Sequence, residues 1–268
     1  MLSIRNISKT FNPGTVNEKK ALDNLSLELK EGDFVTVIGG NGAGKSTLLN
    51  AIAGVYPVDK GKIFADRIDV TRLPEFKRAS FLGRVFQDPM MGTSPDMLIE
   101  ENLALAARRG QRRTLKWGIT EVERENYREM LKRLNLGLED RLSTKVGLLS
   151  GGQRQALTLL MAVIKKPKVL LLDEHTAALD PKTAAKVLEI SDQVVNENRL
   201  TTMMVTHNMR DAIAHGNRLI MMNAGRIVVD VSGEEKKNLT VKDLMDMFSS
   251  ASGSDEANDV LLLSGKNA

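Results

Sequence analysis

Gly39-Gly40-Asn41-Gly42-Ala43-Gly44-Lys45-Ser46-Thr47 decides the reading of this 268-residue chain. Gly39 to Ser46 fit G-x-x-x-x-G-K-[ST], the pattern of a loop that cradles phosphates. Working outward, the preceding Phe34-Val35-Thr36-Val37-Ile38 is an apolar, β-branched run that reads as a buried strand. The following Ser46 to Ala53 carries Leu48, Leu49 and Ile52 at helical spacing. Strand, loop and helix in that order make an anion site. Glycines let backbone N–H groups turn inward, and the helix aims its positive end at the same charge. All nine residues are candidate nucleotide contacts: Lys45 is placed to reach the β- and γ-phosphates of a nucleoside triphosphate, and the Ser46 hydroxyl to ligate Mg²⁺. The plain alternative is a glycine-rich turn before a helix, and the Lys-Ser pair with these flanks argues against it.

A second apolar strand, Val169-Leu170-Leu171-Leu172, ends in Asp173 and Glu174. Alone, such a pair is more often a helix cap or a solvated turn. Beside a phosphate loop, Asp173 suits a Mg²⁺ shell, because that ion takes one or two carboxylates plus phosphates. Glu174 suits the orientation and deprotonation of an attacking water. The third segment is Leu149-Ser150-Gly151-Gly152-Gln153. Ser150 and Gln153 match a helix capping box, which is one reading. A plain cap does not explain two glycines in a first helical turn, each costing about 1 kcal/mol against alanine. Some group must approach that backbone closely.

With these three motifs the chain resembles the nucleotide-binding subunit of ATP-binding-cassette (ABC) transporters, whose signature is LSGGQ. The resemblance covers roughly residues 2 to 230, and the motifs occur in the family's order. It implies that Phe11 stacks on adenine, although a lone aromatic could equally be core. It makes Gln87, in Val85-Phe86-Gln87-Asp88-Pro89, the glutamine that senses Mg²⁺ and the attacking water. Asp180, in Ala178-Leu179-Asp180, falls in the loop that crosses a dimer interface, and His207 is the switch histidine at the γ-phosphate. Two subunits are implied to pair head to tail, so that Ser150, Gly151, Gly152 and Gln153 of one cover ATP on the phosphate loop of the other. Closure on ATP and opening after hydrolysis would then drive a membrane partner. Two departures stand out: His175 follows Glu174 where most transporters carry proline, and Met161 replaces a common arginine. The run Asp173 to Pro181 resembles bacterial ATPases assigned to amino-acid uptake.

The expected fold is α/β: a P-loop NTPase core with a mixed, largely parallel sheet, an antiparallel β subdomain and an inserted α-helical subdomain. Residues 1–248 are expected to form one ABC ATPase domain, with the helical insertion at about 90–150. Residues 249–268 are expected to form a polar, mobile tail. Within the insertion, Glu121 to Leu134 reads as a solvated helix with a stripe of Val122, Met130, Leu131 and Leu134. Thr240 can cap a helix that buries Val241, Leu244, Met245 and Phe248.

Composition supports a partner in the membrane rather than a span of it. The longest apolar run, Leu159 to Ile164, is six residues, against about twenty for a span. Met1 to Arg5 lead straight into a strand-like stretch, which predicts no secretory leader. With 0 Cys, disulfides and thiolate metal sites are excluded. The net charge of +4 and the cluster Arg108, Arg109, Arg112, Arg113 and Lys116 raise nucleic acid as a partner, but no aromatics interleave and none is expected. The expectation is a cytoplasmic ATPase, peripheral on the inner face of the plasma membrane, using ATP and Mg²⁺. Its partners would be an integral membrane permease, a second ATPase subunit and an extracytoplasmic solute-binding protein. The competing class is a regulatory or assembly ATPase with the same dimer cycle and no solute.

Overall fold

A computed structural model describes residues 1–111 and 118–252, and of 251–252 the backbone alone. Arg112, Arg113, Lys116 and most of the expected tail lie outside the described residues. The first part of the chain runs β1 (Leu2–Phe11), β2 (Lys19–Leu29), β3 (Phe34–Ile38), α1 (Lys45–Ala53), β4 (Lys60–Ala65), β5 (Ile68–Asp69) and α2 (Glu75–Arg78). The middle follows as β6 (Leu82–Val85), α3 (Ile99–Ala107), α4 (Glu121–Lys132), α5 (Gly151–Val163), β7 (Val169–Asp173) and α6 (Pro181–Asn198). The last part is β8 (Thr201–Val205), α7 (Met209–Ala214), β9 (Arg218–Asn223), β10 (Arg226–Ser232), α8 (Gly233–Lys237) and α9 (Val241–Ser252). Two compact units divide these elements, Met1–Arg78 with Arg199 onward, and Ala79–Asn198.

The first unit holds two sheets. One is antiparallel, in the order β2-β1-β4-β5. In the other, β3 lies between β8 and β9, parallel to both, with Phe34 opposite Thr202 and Val35 opposite Arg218. β10 adds antiparallel to β9. Every residue of β3 and β8 is buried, which is why both read as runs of apolar residues and threonines rather than as alternation. Against this sheet pack Met209 of α7 and Leu244 and Phe248 of α9. Thr240 opens α9 as expected: its hydroxyl accepts from Asp243 N at 3.2 Å and donates to Asp243 Oδ2 at 2.7 Å.

In the second unit β6 and β7 pair in parallel, Val85 opposite Leu172. The helix expected over 121–134 is α4, but its stripe differs. Tyr127 and Leu131 are the buried residues, and Val122 is 72% exposed. Val122 lies five positions before Tyr127, about 140° round a helix, so it leaves the stripe by geometry. The charged cluster before α4 is engaged within the fold at both described members. Arg108 pairs with Glu123 at 2.8 Å. Arg109 donates to Ala162 O at 3.2 Å, and burial pushes its pKa down.

Candidate functional site

The phosphate loop leaves β3 at Gly39 and enters α1 at Lys45. Gly39, Gly42 and Gly44 have φ of 152°, 80° and 102°, which glycine adopts freely and other residues do not. Space demands glycine as well: a Cβ on Gly39 would sit 2.3 Å from Met222 O, and one on Gly44 2.4 Å from Ala21 O. Gly44 brings no side chain to cap α1, so the first amides of that helix point into the loop. Lys45 is buried and its Nζ donates to Gly39 O at 2.7 Å and Gly40 O at 3.1 Å. That geometry holds the ammonium inside the ring of amides. Ser46 is exposed at the helix start.

Register carries His207 to the same edge. Val37 pairs with Val205 and Thr206 N donates to Val37 O at 3.1 Å, so Gly39 and His207 leave neighbouring parallel strands together. Ligands of open α/β sheets bind at that C-terminal edge. Asp211 of α7 faces both His207 and His215. Burial raises its pKa, and the two histidines pull it back. Phe11 ends β1 and is partly buried. Its ring meets Tyr56 edge-on, with centroids 5.3 Å apart. Tyr56 is delivered by the end of α1, where Asn50 O accepts from the amides of Gly54, Val55 and Tyr56.

The second unit presents the rest. β6 and β7 bring Gln87, Asp173 and Glu174 to one C-terminal edge. Asp173 accepts from Arg84 Nη2 at 3.2 Å, so this carboxylate already faces a cation and is suited to a divalent one. Glu174 takes a left-handed φ of 43°, unusual for a residue with a Cβ. His175 is 2% exposed and lies 2.9 Å from Ser191 Oγ on α6. Ser191 donates to Val187 O at 2.8 Å, so its oxygen is left to accept from His175 Nε2. In place of proline's rigidity, a hydrogen bond ties this turn to α6.

The capping box is present. Ser150 Oγ accepts from Gln153 N at 3.3 Å, and Gln153 Oε1 accepts from Ser150 N at 3.2 Å. The glycines have a further cause inside the chain. A Cβ on Gly152 would lie 2.2 Å from Thr183 Cγ2, and one on Gly151 3.1 Å from Leu179 Cδ2. Thr183 N in turn donates to Asp180 Oδ1 at 3.1 Å. Hydrogen bonds from Thr183 hold the Asp180 carboxyl below its ordinary pKa. The signature turn and the Asp180 loop are therefore packed on one residue.

Sequence reasoning missed four groups. Lys19 Nζ stands 2.9 Å from where a Cβ of Gly42 would be, beside the phosphate loop. Tyr56 backs Phe11, and Arg84 pairs Asp173. Arg78 is 2% exposed and donates to the carbonyls of Ala51, Ile52, Leu73 and Thr71, holding the C-terminal end of α1. Only the Lys19-Lys20 pair left a local sign, an unusual doubling of charge at a strand start.

The sequence profile of the family described as ABC transporter matches residues 22–177 of the 268. This chain belongs to the ABC transporter family. It is an ATP-hydrolysing cassette, and its relatives are transport subunits. A tyrosine transport ATP-binding protein of Clostridioides difficile is 47% identical over 249 residues, 92% of this chain and 98% of that protein. The methionine import ATP-binding protein MetN of Bartonella henselae is 34% identical over 232 residues, 85% of this chain and 64% of that protein. Among solved structures, the dimeric post-hydrolysis state of an ATP-binding cassette bound to ADP and Pi superposes with a TM-score of 0.74. It is 30% identical, covering 87% of this chain and 98% of that one. Among the described residues, no helix of this ABC ATPase is long and apolar enough to cross a membrane.

Proposed function

We propose that this ABC ATPase energises uptake of an amino acid through a partner permease, as one half of a dimer that ATP closes. The observation that carries the solute class is the 47% identity to a tyrosine transport ATP-binding protein along 98% of that protein's length. In this reading residues 1–248 act as one ATPase domain on the cytoplasmic face of the membrane. An extracytoplasmic solute-binding protein completes the system.

Each site residue has one task. Amides of Gly40 to Ser46 and the Lys45 ammonium bind the β- and γ-phosphates. Phe11, backed by Tyr56, receives the adenine ring. Asp173, Ser46 and Gln87 would hold Mg²⁺, which when bound neutralises charge on phosphate oxygens. Glu174 takes the proton of the attacking water, and His207 donates to the γ-phosphate. Ser150 and the amides of Gly151 and Gly152 would donate to that phosphate from the opposite subunit, with Gln153 bracing the turn and Asp180 lining the crossing.

Affinity isolation of the tagged chain from detergent-solubilised membranes, followed by mass spectrometry, tests the assignment. A multi-spanning permease should accompany it, and vesicles holding that complex should take up an aromatic or sulfur-containing amino acid only with ATP. Recovery of soluble partners alone would contradict the reading.

A further inference from the structure

We propose that Arg84 is a counter-ion built into the metal site, which Mg²⁺ must displace or share Asp173 with in order to bind. Arg84 lies on β6 opposite Leu171 of β7, yet its guanidinium reaches forward to Asp173, with Nη2 to Oδ2 at 3.2 Å. It is held there from a second side: its Cζ stands 4.5 Å from the centre of the Phe86 ring. Both side chains of the ion pair are mostly covered, 13% and 14% exposed, so water screens the attraction only partly. Arg84 Nε is buried and makes no hydrogen bond. A group placed for structure alone would have each donor matched, as Arg78 nearly does with four carbonyl partners. The guanidinium is instead fixed by its ring contact and by one charge.

The inference rests on the reading of Asp173 as a Mg²⁺ residue. One carboxylate facing two cations gains less from the second than from the first, because the cations repel. Arg84 therefore weakens Mg²⁺ binding and helps to balance the Asp173 charge when nucleotide is absent. It acts through Asp173 and is a positioning residue.

The test is the Mg²⁺ dependence of N-methylanthraniloyl-ATP binding, followed by fluorescence on the full chain without turnover. Arg84→Met, which removes the charge and keeps an apolar stem on Phe86, should lower half-saturating Mg²⁺ about five- to ten-fold, the scale of a partly screened ion pair. Binding in EDTA should stay as in the wild type. Arg84→Lys, which keeps the charge, should stay within about two-fold of the wild type. An unchanged or raised Mg²⁺ requirement in Arg84→Met overturns the proposal. If that variant no longer folds, Arg84→Gln decides by the same criterion. Asp173→Asn in parallel separates the two claims: its Mg²⁺ requirement should rise, and if it does not, Asp173 is not the metal residue, whatever Arg84 does.

Discussion

Lys45 keeps its ammonium on Gly39 O and Gly40 O, so the positive charge is in place before any phosphate arrives. Lys45→Ala removes that charge and leaves the amide ring, and ATP affinity should fall by at least about ten-fold, since a charged hydrogen bond contributes about 1.5–3 kcal/mol. Equilibrium binding of a fluorescent nucleotide measures it. Glu174→Gln keeps shape and loses the proposed base, so binding should persist while turnover drops by about 10²-fold or more. Arg78→Met takes the side-chain donors from Ala51 O and Ile52 O, leaving Ala51 O only the amide of Gly54, and should lower unfolding free energy by roughly 2–4 kcal/mol, read from denaturant midpoints. These residues differ in legibility. The phosphate loop could be read because its function depends on backbone shape, which glycine spacing reveals directly. Arg78 and Arg84 could not, because their partners are carbonyls and a carboxylate that only the folded chain brings within reach.

At the scale of elements, the crossing of α5 with α6 makes the sharpest claim. Thr183 Cγ2 occupies the place a Cβ of Gly152 would need. Gly152→Ala should destabilise by about 1–3 kcal/mol, the usual range for overpacking. Thr183→Ser removes the methyl and keeps the amide that Asp180 accepts from, so the double variant should recover most of the loss in a thermal melt. The strands β3, β7 and β8 were legible because burial on both faces leaves short runs of apolar residues and threonines without alternation. The stripe of α4 was misread at Val122 because Tyr127, which the expected stripe left out, takes the buried position. That helix also carries a pH signature. The Glu123 carboxyl lies below its ordinary pKa, chiefly because it accepts from Thr120 N. A depressed carboxylate stabilises above its unfolded pKa, and the gain is lost as pH falls through the folded value. The protection of amides at the start of α4, taken relative to their intrinsic exchange at each pH, should therefore fall in acid below the usual glutamate range, and Glu123→Gln should flatten that response.

At the scale of the whole molecule, the proposed cassette carries half of each of two sites. In that proposal the loop at Gly39 to Ser46 would offer amides and a lysine to one face of a nucleotide. The turn at Ser150 to Gln153 offers another helix start, already ordered by its capping box. Ser150→Arg should leave nucleotide binding to the monomer intact and abolish turnover, because in the proposed dimer the bulk and charge would land at the neighbour's phosphate. The proposed dimer came only from family resemblance, since no residue pattern within one chain states what meets it. The measurement that bears most directly on the central claim is light scattering of the Glu174→Gln chain with and without ATP. The mass should rise from that of one 29.5 kDa chain to that of two on adding ATP and Mg²⁺. A chain that stays monomeric while saturated with ATP would contradict the shared site.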